Sequence, residues 1–210
     1  MDRSRFAISA LCVAAAACVC ASANAAVLID NLAQPTRAVT TIDTSLWAAQ
    51  SFLNDATAHR LDGIDILAGS RVGDPVQYAA LYSAGAVGPE ALLSTFSIVV
   101  GPGALAVAVN LLPAVQVVLA PSTAYWLVIG ASGAGSLGWA YAEGNAYGGT
   151  GSFGAYAYSN DLGVSWGSFA TDNPYQMAVQ VSAVPEPSVW ALWAGGVLAL
   201  FYGASRRRLR

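Results

Sequence analysis

The chain reads PVQYAALYS at residues 75–83, where apolar side chains recur at every second position. Such a period of two is typical of an extended strand, because successive side chains of a strand point to opposite faces. The residues that share one face of this strand are Val76, Tyr78, Ala80 and Tyr82. The segment ALAVAVNLL at residues 104–112 has the same period, and its apolar set is Leu105, Val107, Val109 and Leu111. Both segments therefore predict β-strands.

Ten further short segments between residues 26 and 183 also predict strands. They read AVLID, LWAAQSFL, HRLDGIDIL, LLSTFSIVV, VQVVLA, AYWLVIGAS, LGWAYAE, GAYAYS, VSWGSF and YQMAVQVS. The alternation breaks within HRLDGIDIL, which predicts a β-bulge near Gly63. No long helix is expected in this region. Residues 89–93 are the one candidate for a helical segment. We predict an all-β domain over residues 26–183, an antiparallel β-sandwich of jelly-roll type.

The composition limits the classes of function. Of the residues, 56% are hydrophobic and 10% charged, and there are 21 glycines and no lysine. This is too apolar for a disordered chain and too rich in glycine for a helical bundle, and it fits an exported β protein. Between residues 26 and 184 three arginines face ten acidic residues. Nucleic acid is therefore not an expected partner, because its binding requires neutralisation of phosphates.

Residues 1–25 predict a secretory signal peptide. Arg3 and Arg5 form a basic start, an apolar run follows, and residues 23–25, Ala-Asn-Ala, form a small-residue cleavage site. An ordinary first helix is the alternative, but the run has no polar face. We expect the mature chain to begin near Ala26.

Residues 189–204 predict a C-terminal transmembrane helix, because all sixteen are apolar, glycine or small. As a helix they span about 24 Å, slightly less than the hydrocarbon core of about 30 Å, and residues 185–188 could extend them. Arg206, Arg207 and Arg208 follow and are expected to stay in the cytoplasm, which leaves the N-terminal side outside. A buried helix of a soluble domain is the alternative, and it would leave the arginine cluster unexplained.

The tail at residues 184–210 resembles the bacterial PEP-CTERM protein-sorting signal, through Pro185, Glu186 and Pro187, the short span and the arginine cluster. The resemblance implies that an exosortase, a membrane-embedded protease or transpeptidase, recognises the Pro-Glu-Pro element. It also implies a transient stage in the inner membrane, later delivery to the cell surface, and an association with exopolysaccharide. The tail would then be a substrate for processing.

The exported region resembles the β domains called choice-of-anchor domains. The similar residues are NLAQPTR at 31–37, WAAQSF at 47–52 and YWLVIG at 125–130. The resemblance implies a β domain and no established activity.

The segment SNDLGVSW matches the spacing of the Asp-box, a hairpin motif of β proteins. The matching residues are Ser159, Asp161, Gly163, Ser165 and Trp166. We expect the aspartate to accept backbone N–H groups across the turn, the glycine to adopt a positive φ, and the tryptophan to pack beneath. A structural hairpin is predicted, with ligand binding as the alternative.

The segment GAGSLG at residues 133–138 has dinucleotide-binding spacing, but no helix can follow it. It predicts a glycine-rich hairpin loop, and no cofactor is expected. A calcium-stabilised loop formed by Asp161, Asp172 and Asn173 remains open.

Catalytic residue types are scarce. His59 is the only histidine, and the cysteines Cys12, Cys18 and Cys20 all lie in the signal peptide. Triads, Schiff bases and thiol chemistry are therefore incomplete. Asp62 and Asp65 could serve glycoside hydrolysis, but on a regular strand they would face opposite sides unless the bulge realigns them. No enzyme is predicted.

Seven aromatic residues crowd a glycine-rich stretch near the C-terminal half of the domain. They are Trp139, Tyr141, Tyr147, Phe153, Tyr156, Tyr158 and Trp166. Most are expected in the core, and a carbohydrate-binding platform is the alternative. Together with the resemblance of the tail to the PEP-CTERM signal, these features lead us to expect a non-enzymatic structural or adhesive protein of the extracellular polysaccharide matrix, with a carbohydrate-binding or carbohydrate-active protein as the alternative.

Overall fold

The computed structural model of the chain describes residues 25–103, 106–169 and 173–184. These residues form strands, turns and loops, and Ala25–Ala183 make one compact unit. Within the described ranges, no helix has the length and apolar character needed to cross a bilayer. The predicted span at residues 189–204 and residues 1–24 of the predicted signal peptide lie outside these ranges. The predicted all-β class is confirmed.

The described strands are numbered in chain order. The first seven are β1 (Ala25–Asp30), β2 (Thr36–Ile42), β3 (Trp47–Leu53), β4 (His59–Ala68), β5 (Val72–Gly73), β6 (Val76–Ala84) and β7 (Pro89–Thr95). The others are β8 (Val107–Leu111), β9 (Val118–Leu119), β10 (Ala124–Ser132), β11 (Gly135–Ala142), β12 (Ser152–Ser159), β13 (Gly167–Phe169) and β14 (Met177–Ala183).

The strands pair antiparallel in two sheets. The eight-stranded sheet has the order β1-β14-β4-β11-β2, with β5 beside β11 and with β8 and β9 beside β4. The six-stranded sheet has the order β13-β12-β3-β10-β6-β7. The chain changes sheet repeatedly, so that most paired strands are distant in sequence, whereas β6 pairs with β7 and β12 with β13.

One hydrophobic core joins the inner faces of the two sheets. Phe52 and Leu127 from the six-stranded sheet and Ile64 and Trp139 from the eight-stranded sheet are fully buried in the same cluster. The Trp139 ring stacks on Tyr175 with centroids 4.3 Å apart, and its Nε1 donates a hydrogen bond to the Gln176 carbonyl at 3.2 Å. The arrangement is sandwich-like.

Strand β6 has apolar residues on both of its faces. Ala79 and Leu81 belong to the core between the sheets, whereas Tyr78 and Tyr82 pack in a second cluster on the outer face. The prediction that Tyr78 and Tyr82 share one face of β6 is therefore confirmed. In the structure this face points away from the core. The small Ala79 and the leucine fit the close-packed interior.

Strand β4 contains the predicted bulge. Leu61 pairs with Val181 and Gly63 with Gln180, so that Asp62 is the extra residue. Because of this insertion, both Asp62 and Asp65 lie on the half-exposed side of β4 while the isoleucines remain in the core.

Two local predictions are wrong. Residues 89–93 begin strand β7, because this segment pairs with β6 and a proline is tolerated at the first residue of an edge strand. The GAGSLG segment does not connect a hairpin, because β10 and β11 belong to different sheets. Gly133 and Gly135 have φ of 80° and 138°, which allow the chain to turn from one sheet to the other.

Candidate functional site

Five aromatic side chains cluster on the outer face of the six-stranded sheet. They are Trp47 of β3, Tyr78 and Tyr82 of β6, Trp126 of β10, and Trp166 of the β12–β13 loop. We call this group the aromatic face. Trp126 is 5% exposed, and the other four are half-buried. Beneath and beside them lie small or branched side chains, namely Ala49, Val128, Ala155 and Ala157.

Trp47 is held by three neighbours. Its ring stacks on Tyr78 with centroids 5.0 Å apart and planes inclined by 23°. Its Nε1 donates a hydrogen bond to the Ala131 carbonyl at 2.9 Å. A Cβ at Gly130 would fall into the indole of Trp47, so only glycine lets the ring lie against strand β10. The ring orientation is therefore fixed by the sheet beneath it.

The two tyrosines of β6 share a hydrogen bond. Their hydroxyl oxygens are 2.8 Å apart, so that one donates to the other. Burial first, and then the hydrogen bond with Tyr82, raise the pKa of Tyr78 above its usual value. The Tyr78 hydroxyl therefore stays neutral, and the pair keeps donor and acceptor capacity beside the Trp47 ring.

The residues of the Asp-box match meet in the turn between β12 and β13. The Asp161 carboxylate accepts the backbone N–H of Ser165 at 2.9 Å and the hydroxyls of Ser165 at 2.6 Å and Ser159 at 2.7 Å. The Ser159 hydroxyl accepts the N–H of Gly163 at 2.8 Å, and Gly163 has a φ of 87°. The Ser165 hydroxyl bond, followed by its backbone bond, lowers the pKa of Asp161 to about 2.

This turn positions Trp166 on the aromatic face. The Trp166 Nε1 donates to the Gly163 carbonyl at 3.2 Å. A Cβ at Gly163 would lie 3.1 Å from the Trp47 ring, and a Cβ at Gly88 would lie 2.9 Å from the Cβ of Trp166. The turn and the aromatic face are therefore parts of one site.

The predicted carbohydrate-binding platform contains only one member of this face. Of the seven aromatic residues in the predicted platform, Trp166 alone belongs to it, while Trp139 is buried and Tyr156 and Tyr158 pack against the core. Tyr147 makes an edge contact with Phe153 at 5.4 Å. The sequence signal that indicates part of the aromatic face is the spacing of Tyr78 and Tyr82, which places both side chains on one face of β6.

The outer face of the eight-stranded sheet has a different chemistry. Asp62 accepts hydrogen bonds from Arg60 at 3.1 Å and from Ser182 at 3.0 Å. Asp65 accepts from Asn110 at 2.7 Å and from Gln180. The bulge thus brings both carboxylates to one face, where each is bonded by its own polar neighbours.

His59 joins a polar cluster next to strand β4. Its Nε2 lies 2.9 Å from Asp55 Oδ1 and 2.8 Å from Thr57 Oγ1, and Thr150 donates to Asp55 Oδ2 at 2.6 Å. Burial acts to raise the pKa of Asp55, but the hydrogen bonds from Thr150, Thr57 and His59 outweigh it and lower this pKa well below its usual value. Thr57 and Asp55 both contact Nε2 of His59. In a catalytic triad the histidine contacts its acid and its nucleophile through different ring nitrogens, so this cluster is not of the triad type.

The remaining predicted site residues are described only in part. The part of the chain that the structure describes has no group of three or more His, Cys, Asp or Glu residues that could hold a metal ion. Asn173 accepts the N–H of Gly144 at 3.0 Å, and Asp172 lies outside the described residues. The tail residues Pro185, Glu186, Pro187, Arg206, Arg207 and Arg208 also lie outside them.

The aromatic face is therefore the candidate functional site of this all-β, two-sheet protein. It combines ring faces of fixed orientation with neutral hydroxyl groups. No family model and no curated protein matches the sequence.

Proposed function

We propose that the protein is an exported, non-enzymatic adhesive component of an extracellular polysaccharide matrix, and that its aromatic face binds neutral sugar chains. The observation that carries the proposal is the stack of Trp47 on Tyr78 beside the paired hydroxyls of Tyr78 and Tyr82. Aromatic rings offer apolar faces to the C–H surfaces of sugar rings, and nearby hydroxyls can bond sugar hydroxyls.

The charge distribution supports a neutral sugar. The arginines of the described residues are Arg37 in β2, Arg60 in β4 and Arg71 immediately before β5, and these strands belong to the eight-stranded sheet. The domain is acidic as a whole, with three arginines against ten acidic residues between 26 and 184. An acidic polysaccharide would therefore meet net repulsion and find no cationic partner on the aromatic face.

The strand order supports a jelly roll as the finer description of the fold. Strands β1, β3, β4, β6, β7, β8, β10 and β14 can be numbered one to eight in chain order. They then pair as 1-8-3-6 in one sheet and 2-7-4-5 in the other. This is the order expected of a jelly roll, and β11, β12 and β13 are an insertion before its last strand.

Delivery to the surface is the second part of the proposal, and the tail sequence supports it. The span at residues 189–204 would halt the chain in the inner membrane, and an exosortase-type protease would recognise Pro185, Glu186 and Pro187. Cleavage near Glu186 would release the domain outward. A Pro185→Ala, Glu186→Ala double variant is expected to accumulate uncleaved in the membrane fraction. Its arrival at the cell surface with the parent's mass and amount would contradict this route.

Glycan binding can be measured with the full chain in mild detergent, on an array of neutral and acidic polysaccharides. We expect binding to neutral chains, and a weakening of about tenfold in Trp166→Ala and a smaller loss in Tyr82→Phe. The matched controls are Phe169→Ala and Tyr147→Phe, because both residues are exposed aromatics outside the aromatic face. Equal losses in controls and test variants, or binding only to acidic chains, would contradict the proposal.

Glycoside hydrolysis is a second candidate, because the bulge at Asp62 brings two carboxylates to one face. The same preparation can be assayed for release of reducing sugar. Release that is lost in both Asp62→Asn and Asp65→Asn would favour the enzyme over the adhesive protein.

A further inference from the structure

Strand β8 forms an open edge of the eight-stranded sheet. It pairs with β4, in continuous register from Val107 opposite Ala68 to Leu111 opposite Ile64, and with no other described strand. In an antiparallel strand that is paired on one side, alternate N–H and C=O groups point away from the sheet. Strand β8 therefore has backbone groups available for a further strand.

The other described edges carry features that discourage pairing. Strand β2 contains Arg37, strand β7 begins with Pro89 and Glu90, and β13 has three residues. The edge of β1 is occupied, because the backbone of residues 148–151 bonds Leu28 and Asp30. Charges, prolines and short length are common protections of sheet edges.

Strand β8 lacks these protections. Its sequence is VAVNL, without a charge, a proline or a register shift. Its first residue, Val107, is 46% exposed, although Val109 and Leu111 on the same face pack into the core. Val107 therefore leaves an apolar side chain uncovered on the core-facing side of this open edge.

We propose that β8 pairs antiparallel with β8 of a second copy of this chain, about a two-fold axis at Val109. This register places Val109 opposite its copy, Val107 opposite Leu111, and Ala108 opposite Asn110. Each core-facing residue then meets a core-facing residue, and no charged residue of one strand opposes another. The strand is self-complementary in this register, as a two-fold interface requires.

Disulfide trapping tests the register in the full chain, extracted in mild detergent. Cα atoms directly opposite each other are about 4.5–5.5 Å apart, within disulfide reach, so Val109→Cys is expected to cross-link two copies on oxidation. In Ala108→Cys the two cysteines are diagonal, about 7–8 Å apart, and are expected to cross-link at least tenfold less. Peptide mass spectrometry assigns the bond to position 109 and separates it from cysteines 12, 18 and 20. Equal cross-linking of both variants, or none in either, would overturn the proposal.

The association state provides an independent test. The parent is expected to sediment as two copies per particle, and Ala108→Lys as one, because a lysine on an edge strand opposes pairing. The matched control is Ala38→Lys on the exposed edge strand β2, which is expected to keep two copies. A single-copy parent, or the same change in both variants, would overturn the proposal. Unchanged far-ultraviolet circular dichroism in each variant separates lost pairing from lost folding.

Discussion

The Trp47 ring is stacked on the Tyr78 ring at a centroid distance of 5.0 Å, and it lies against the backbone of Gly130. Gly130→Ala would place a methyl group inside the indole, so the ring must move and the stack opens. We expect a loss of about 1–3 kcal/mol in the free energy of unfolding, measured with denaturant, and a weaker near-ultraviolet circular dichroism signal. Gly101→Ala is the control, because a Cβ there meets nothing within 4 Å. Equal stability of the Gly130 variant and the parent would contradict the described contact.

The shared core predicts a large difference between two phenylalanines. Phe52 is fully buried between the sheets, whereas Phe169 on β13 is 50% exposed. Phe52→Ala removes a core side chain and leaves a cavity, so we expect a loss of about 3–5 kcal/mol in the free energy of unfolding. Phe169→Ala is expected to cost about 1 kcal/mol, because this exposed ring loses its stack on Tyr156, with centroids 5.4 Å apart, and leaves no cavity in the core. Similar costs in chemical denaturation would contradict the two-sheet core.

The turn at Asp161 predicts a component of acid sensitivity. Because the folded pKa of about 2 lies below the usual 3.8, the charged carboxylate stabilises the folded state above pH 3.8. This contribution is lost as the pH falls from 3.8 towards 2. We expect the unfolding temperature to fall less over this window in Asp161→Asn than in the parent.

Serine variants provide the comparison for this turn. Ser165→Ala removes one donor to Asp161 and is expected to give an intermediate slope, whereas Ser168→Ala, on the exposed strand β13, is expected to behave as the parent. A parent-like slope in Asp161→Asn would contradict the role of the turn.

Thr150 is predicted to lower the pKa of Asp55. Thr150→Val removes a hydroxyl donor to the Asp55 carboxylate, so this pKa should rise towards its usual value. The stabilisation by charged Asp55 is present above the usual carboxyl pKa and is lost as the pH falls through the lowered value. In Thr150→Val this loss should begin at the same pH as in the parent, be smaller, and be complete at a higher pH. Carbon-13 NMR titration of the Asp55 carboxyl measures the shift, and Thr150→Ser, which keeps the hydroxyl, should retain the parent value.

Alternation located most strands but could not always assign their faces. The segment AYWLVIGAS coincides with β10, Ala124–Ser132. Strand β6 is apolar on both faces. The sequence does not indicate which of the two faces the other sheet covers. Strand β2, TRAVTTI, was missed because its side chains are mostly polar and exposed, as at a sheet edge.

The candidate site could be predicted only where it is local in sequence. The Asp161 turn is local, because its hydrogen bonds join residues within a few positions. The aromatic face combines β3, β6, β10 and a loop, which become neighbours through strand register. Trp126 lies opposite Ser51 on one side and Tyr82 on the other, and no spacing in the sequence indicates this.

The separation of arginines from the aromatic face has a practical consequence. No described arginine lies in the six-stranded sheet, so attachment through that sheet would depend on ring contacts and neutral hydroxyls. Such contacts release no counterions, and screening by dissolved ions hardly affects them. Adhesion of this kind should therefore withstand washing in concentrated sodium chloride and should yield to competition by soluble sugar.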